Sequence, residues 1–262
     1  MTVLDFQKMK DHGRKISMVT CYDYSSARVV AESGIDCILV GDSVAMTMHG
    51  FPNTLAATTE MMALHTAAVA RGASGKFIVA DLPFLSYRKG LKETMDAVEQ
   101  LLRSGAQAVK LEGVRGHAET VRHIVESGVP VMGHLGLTPQ SVNQLGGMKV
   151  QARTDASVDL LASQALELED VGCFALVLEC VPTEAARKVT EVLKIPTIGI
   201  GAGPCVSGQV LVYQDVLGLN PRFRPTFLRT YTNAFEIIQG ALDAYDGDVK
   251  SGRFPSENES YS

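Results

Sequence analysis

Several signatures are missing from this chain, and each absence removes a class of function. No segment approaches the roughly 20 consecutive apolar residues of a membrane-spanning helix. Met1 to Lys15 is charged and mixed, with neither the apolar core nor the small-residue cleavage site of a secretory leader. Positive charge is not in excess: a formal net charge of -5 and a pI near 5.7 argue against general nucleic-acid or anionic-membrane binding. There is no C-x-x-C pair among the five cysteines, Cys21, Cys37, Cys173, Cys180 and Cys205, and several lie in apolar runs. Buried, reduced thiols in a cytoplasmic protein follow from that pattern. The first strand-to-helix turn lacks a G-x-G-x-x-G fingerprint, which disfavours a dinucleotide-binding open sheet. No low-complexity segment, compositional break or linker divides the 262 residues.

What is present is an alternation. Short apolar runs at Ile16–Tyr22, Cys37–Val40, Phe77–Asp81, Ala108–Glu112, Val129–Gly133, Ala175–Cys180, Thr197–Gly201 and Val210–Tyr213 read as strands. Runs with no polar face are strands buried on both sides, as in a parallel sheet. Between most of them lie helical stretches capped by Asp23 or Thr58/Thr59 at one end and stopped by Gly34, Gly72, Gly105, Gly128 or Gly172 at the other. Eight strand-helix units in about 250 residues is the arithmetic of a (β/α)8 barrel, with an open doubly wound sheet as the alternative. We expect one α/β TIM-barrel domain over residues 1–262, with a short N-terminal extension. A tail helical over Pro225–Ser251 follows, and a loose end docked by Phe254 and Tyr261.

Four of the runs end in an acid: Asp42 just past Cys37–Val40, then Asp81, Glu112 and Glu179. In a barrel the strand C-termini open on one face, where chemistry is placed, so these acids and His134 would share one rim. Carboxylates brought together need a proton or cation between them. Oxygen ligands without companion Cys or His favour Mg2+ over Zn2+. Helix caps and ion pairs on separate loops account for Asp42, Asp81 and Glu112 equally well. Lys110 and Glu112 are two apart, hence on one side of a strand. A lysine facing the lumen hints at an anionic substrate, or forms a structural pair with Glu112. Glu179 ends an otherwise apolar strand, a buried setting that suits a general base, although a salt-bridged structural acid fits too. His134 either donates to an anionic oxygen or is a satisfied barrel histidine. Ser43 has no base beside it and reads as a substrate-anchoring hydroxyl or a helix cap. Gly199, Gly201 and Gly203 permit close backbone approach to a ligand, as in barrel phosphate sites, or simply tight packing.

Six ordered motifs go further: Val40-Gly41-Asp42-Ser43, Ala80-Asp81-Leu82-Pro83-Phe84, Val109-Lys110-Leu111-Glu112-Gly113, the run from Gly133 through His134 to Thr138-Pro139-Gln140-Ser141, Leu178-Glu179-Cys180-Val181-Pro182, and Ile198 through Gly201 to Gly203. From about Thr2 to Pro255 the chain resembles the ketopantoate hydroxymethyltransferase family. The resemblance implies a (β/α)8 barrel that moves a one-carbon unit from 5,10-methylenetetrahydrofolate to 3-methyl-2-oxobutanoate. The products are 2-dehydropantoate and tetrahydrofolate, the first committed step towards pantothenate. It implies Mg2+ held by Asp42, Asp81 and Glu112, the oxo acid held by Ser43, Asp81 and Lys110, and Glu179 as proton acceptor. It also implies a homo-oligomer, often a decamer. Ala56, Met148, Ala152, Ser207 and Gln214 depart from the family pattern, away from these residues, and bear on loop closure and the folate side. A Mg2+-dependent oxo-acid carbon-carbon lyase of the isocitrate lyase and phosphoenolpyruvate mutase kind is the rival activity, but the Lys-Lys-Cys-Gly-His loop of the lyases is missing.

Overall fold

The structure is a computed structural model that describes residues 1–261. It divides into two compact units, Met1–Val212 and Tyr213–Ser262.

In the first unit eight strands close into a parallel barrel in sequence order, β1 pairing with both β2 and β8. They are β1 (Ile16–Thr20), β2 (Cys37–Val40), β3 (Phe77–Asp81), β4 (Ala108–Glu112), β5 (Val131–Gly136), β6 (Ala175–Glu179), β7 (Thr197–Ile200) and β8 (Gly208–Leu211). The open-sheet alternative is excluded by that closure. In chain order the helices are α1 (Val3–Asp11), α2 (Tyr24–Glu32), the single turn α3 (Val44–Thr47), α4 (Thr59–Gly72), α5 (Leu91–Arg103), α6 (Ala118–Glu126), the short α7 (Val142–Leu145), α8 (Asp155–Asp170) and α9 (Thr183–Val192). Asp23 caps α2 by accepting from the Ser26 amide at 2.9 Å, and Thr58 caps α4 by accepting from the Met61 amide at 3.2 Å.

Strand residues alternate between lumen and helix layer. Met18, Cys37, Leu39, Val79, Ala108, Met132, Ala175, Val177, Ile198 and Val210 form one buried cluster with Phe6 and Met9 of α1. The N-terminal segment is therefore more than an extension. Thr2 and Asp5 form a capping box that starts α1. Phe6 meets Phe77 and Phe174 edge-on, at centroid distances of 5.4 and 5.2 Å.

Strands one, six and seven end one or two residues earlier than the sequence suggests, and three other boundaries differ for a physical reason. The fifth strand begins after Pro130, which has no N–H for the ladder, and runs on through His134 to Gly136. The eighth begins at Gly208, where a Cβ would stand 2.7 Å from that of Ile16 and 2.8 Å from Ile198 Cδ1. Closure requires that glycine, and glycine gives no hydrophobic signal. Thirdly, the tail is helical only from Ala234, because β-branched Thr226, Thr230 and Thr232 follow Pro225 and disfavour helix.

The second unit holds the single turn α10 (Tyr213–Val216) and α11 (Ala234–Lys250). Phe235, Ile238, Leu242, Tyr245 and Val249 of α11 recur at helical spacing and are all exposed. Phe254 packs on Tyr245 at 5.6 Å, whereas Tyr261 is fully exposed rather than docked; of the expected loose end, Ser262 lies outside the described residues.

Candidate active site

Strand register decides which functional groups meet. Asp81 lies beside Lys110, Glu112 beside His134, and Gly136 beside Glu179. All are at or next to strand C-termini. Gly136 has φ +94°, and a Cβ there would run into the Glu179 carbonyl, so glycine is what lets β5 and β6 end side by side.

The side chains form one connected cluster. Lys110 Nζ stands 3.0 Å from Asp81 Oδ1 and 3.4 Å from His134 Nδ1. Asp81 Oδ2 accepts from the Asp42 amide at 3.0 Å. His134 turns Nδ1 towards Glu112 Oε1 at 3.4 Å and Nε2 towards Glu179 Oε2 at 3.2 Å. Ser43 Oγ is hydrogen-bonded to the Tyr22 hydroxyl at 2.8 Å. Asp42, Asp81, Lys110, Glu112 and His134 are all buried. Seven of the residues singled out in the sequence, Asp42, Ser43, Asp81, Lys110, Glu112, His134 and Glu179, are thus brought together. Gly201 and Gly203 have φ of +65° and +74°. A Cβ on Gly203 would collide with the Thr183 side chain, which makes packing its first requirement.

Two expectations need correcting. Glu179 is not fully withdrawn from water: it is the last residue of β6, its side chain is 20% exposed, and the chain turns away at Cys180 with φ +47°. Ser207 is remote from the rim, since it exchanges hydrogen bonds with Thr197 at the N-terminal ends of β7 and β8.

Burial and charge set the protonation pattern. Burial first, then Asp81 and Glu112, push the Asp42 carboxyl well above the usual carboxylate range. Burial opposes the charge on Lys110, but Asp81, Glu112 and Asp42 outweigh it and raise that group above the ordinary lysine value. Burial and Lys110 likewise oppose a charged His134, yet Glu112 and Glu179 lift it to about 9.

Among the described residues no three His, Cys, Asp or Glu side chains already form a metal cage. The donor set nonetheless fits a hard divalent cation. One oxygen of each of three acids is occupied: Asp81 Oδ2 by the Asp42 amide, Asp42 Oδ2 by Gln140 Nε2 at 2.8 Å, and Glu112 Oε2 by the Gln140 amide at 3.0 Å. Glu112 Oε1 has no hydrogen bond, and Asp81 Oδ1 faces Lys110 without a well-aligned one. Four carboxyl groups crowd one lysine and one histidine, so the cluster has negative charge to spare for an oxygen-liganded ion such as Mg2+.

Sequence reasoning missed three participants: Tyr22, Tyr87 and Gln140. Tyr87 and Gln140 lie in loops where nothing in the neighbouring pattern marks them as buried, and Tyr22, which ends the first apolar run, sits just past β1 with no sign of a partner in the sequence.

A closed parallel barrel with acids, a lysine and a histidine gathered at the strand C-termini defines a TIM-barrel enzyme site. A solved structure of phosphonopyruvate hydrolase in complex with oxalate and Mg++ has the same fold, with a TM-score of 0.64 over 99% of this chain and 93% of that one; identity is 13%, so the likeness concerns fold alone. Residues 1–257 match the family model described as Ketopantoate hydroxymethyltransferase. The 3-methyl-2-oxobutanoate hydroxymethyltransferase of Bdellovibrio bacteriovorus is 59% identical over 261 residues, covering 100% of this chain and 99% of the relative. The enzyme of the same name from Legionella pneumophila (strain Lens) is 51% identical over 262 residues, covering all of both. The chain belongs to the ketopantoate hydroxymethyltransferase family.

Proposed function

We infer that this chain is a 3-methyl-2-oxobutanoate hydroxymethyltransferase, moving a hydroxymethyl group to the oxo acid to give 2-dehydropantoate. The observation that carries the reading is a family match over residues 1–257 that includes every residue of the buried rim cluster. We propose 5,10-methylenetetrahydrofolate as the one-carbon donor, with tetrahydrofolate released.

Asp42, Asp81 and Glu112 are the residues proposed to hold Mg2+. When bound, the ion supplies Lewis acidity at the carboxylate and keto oxygens of the oxo acid. The rest falls to the chain's own groups. Ser43, fixed by Tyr22, offers a hydroxyl to the substrate, and Lys110 faces the place where negative charge develops. Glu179 removes the C3 proton. Its partial exposure leaves it a path to water, and His134 at 3.2 Å orients it and balances its charge. The carbanion at C3 then attacks the one-carbon unit, a water molecule supplies the hydroxyl oxygen, both carbon–nitrogen bonds to the folate break, and the two nitrogens take up the C3 proton and one proton of the water.

The remaining assignments are proposals of the same kind. The exposed apolar stripe of α11 supports a homo-oligomer, for which we propose a decamer, with small molecules rather than nucleic acid as the other partners. Five free cysteines support a reducing, cytoplasmic setting. No helix among the described residues is long and apolar enough to cross a membrane. We also propose that both compact units serve one functional domain.

The deciding experiment is mass-spectrometric detection of 2-dehydropantoate formed from 3-methyl-2-oxobutanoate and 5,10-methylenetetrahydrofolate, with and without Mg2+. We expect product only when the oxo acid, donor and metal are all present. Product that is equally abundant after chelation removes the metal from the reading, and no product under any condition overturns the activity.

A further inference from the structure

Gln140 is buried among the acids, and no role in the chemistry described above accounts for it. It sits in a tight turn, Pro139–Ser141, that brings the loop after β5 over the ends of β2, β3 and β4. Every polar atom of its side chain is engaged. Nε2 donates both hydrogens, one to Asp42 Oδ2 at 2.8 Å and one to the Leu82 carbonyl at 3.0 Å. Oε1 accepts from the Tyr87 hydroxyl at 2.8 Å. The backbone N–H of the same residue donates to Glu112 Oε2 at 3.0 Å.

That pattern fixes which way the amide points. Reversed, it would set its oxygen against a carboxylate and a carbonyl, both of which only accept. Tyr87 reinforces the choice, because its buried hydroxyl bridges Gln140 Oε1 and the Glu112 backbone. One residue therefore holds one oxygen of Asp42 with its side chain and one oxygen of Glu112 with its backbone. The second oxygen of Glu112 is left buried without a hydrogen bond.

We propose that Gln140 is a positioning residue for the cation. It fixes the orientation of Asp42 and Glu112 so that one oxygen of each is presented to a divalent ion, and Tyr87 keeps the amide in the orientation that does so. The inference rests on the magnesium reading of the site and deepens it. Outer-shell partners of metal ligands are commonly worth 10- to 100-fold in affinity.

The test is calorimetric titration of the full chain with Mg2+ in the presence of 3-methyl-2-oxobutanoate, with the unfolding temperature measured alongside. Gln140→Met keeps length and burial, retains the backbone bond to Glu112 and removes the side chain's hold on Asp42 together with its bonds to the Leu82 carbonyl and from the Tyr87 hydroxyl. We expect Mg2+ affinity to fall by about 10- to 100-fold. Tyr87→Phe, which keeps the ring but leaves Gln140 Oε1 without its donor, should lose less, and combining the two should cost less than the product of the separate losses. A purely structural Gln140 would lower the unfolding temperature and leave Mg2+ affinity unchanged; that result overturns the proposal. If Gln140→Met does not fold, Tyr87→Phe is read in its place, and parental affinity there is equally fatal. A parent that takes up no Mg2+ overturns the metal reading itself, and the positioning role with it.

Discussion

At the N-terminal end of its strands the barrel is stopped by aromatic rings, with Phe6 of α1 edge-on to Phe77 and Phe174. At the other end of the same strands stand Asp81, Lys110, Glu112, His134 and Glu179. β3 joins the two within five residues, from Phe77 to Asp81, a rise of about 13 Å at roughly 3.3 Å per residue. The short span teaches a division of labour. Groups that bury apolar area are kept at one end, so the other can gather charges that cost stability without dissolving the fold.

Variants that strike one end and spare the other test this division. The largest effect is expected from Asp81→Asn, which keeps shape but removes a carboxylate from the proposed cation site. Turnover should fall by about three to four orders of magnitude, several kcal/mol of barrier, while the unfolding temperature moves less, because the Coulombic attraction of Glu112 and Asp42 for Lys110 remains. Steady-state assays and thermal unfolding would check it; a large loss of stability would make the charge cluster structural after all. Phe6→Ala should do the opposite, costing about 3–4 kcal/mol of stability, on the order of 10 °C in unfolding temperature. Its folded fraction should turn over at the parental rate, and a lower rate per folded molecule would break the separation of the two ends.

Glu179→Gln comes next. Hydrogen exchange at C3 of the oxo acid with deuterated water should slow by about 100-fold, with Mg2+ and oxo-acid binding close to normal. Exchange at the parental rate would move the base elsewhere, His134 being the first group to examine. The smallest effect is at His117, at the start of α6 and stacked near Tyr87 at 5.3 Å. Burial chiefly, with help from Arg88, holds its pKa down to about 4 from an ordinary 6.5. Between those values the unfolded chain binds a proton that the folded chain does not, so the stability contributed at neutral pH is lost as pH falls from about 6.5 to 4. His117→Phe should flatten that slope by on the order of 1 kcal/mol, measured by urea unfolding at pH 7.5 and pH 5.

What could be read in the sequence follows the same polarity. β2, β3 and β4 are legible to the residue, because a strand buried on both faces is a continuous apolar run and the acid that ends it is an abrupt break. Those breaks also point to the site. His134 is harder to place, since Pro130 shifts the start of its strand and puts it inside the ladder rather than after it. α1 goes unrecognised because the capping signal of Thr2 and Asp5 precedes only two core residues, Phe6 and Met9. Gln140 and Tyr87 are illegible for a deeper reason. Their importance lies in which acids they touch, and that follows from how a loop folds over three strands far from it in sequence.

The pairing of β1 with β8 has a consequence for synthesis. At about 5–20 residues per second, the stretch between these strands takes roughly 10–40 s to make. Throughout that time β1 has a ladder edge with no neighbour, and so does the most recently completed strand. Phe6 emerges long before Phe174, the second ring it rests on. A ribosome stalled before Leu211 would thus hold a barrel with an open seam, and truncations there should associate through that seam. Any truncation that leaves a closed barrel must fall beyond Leu211.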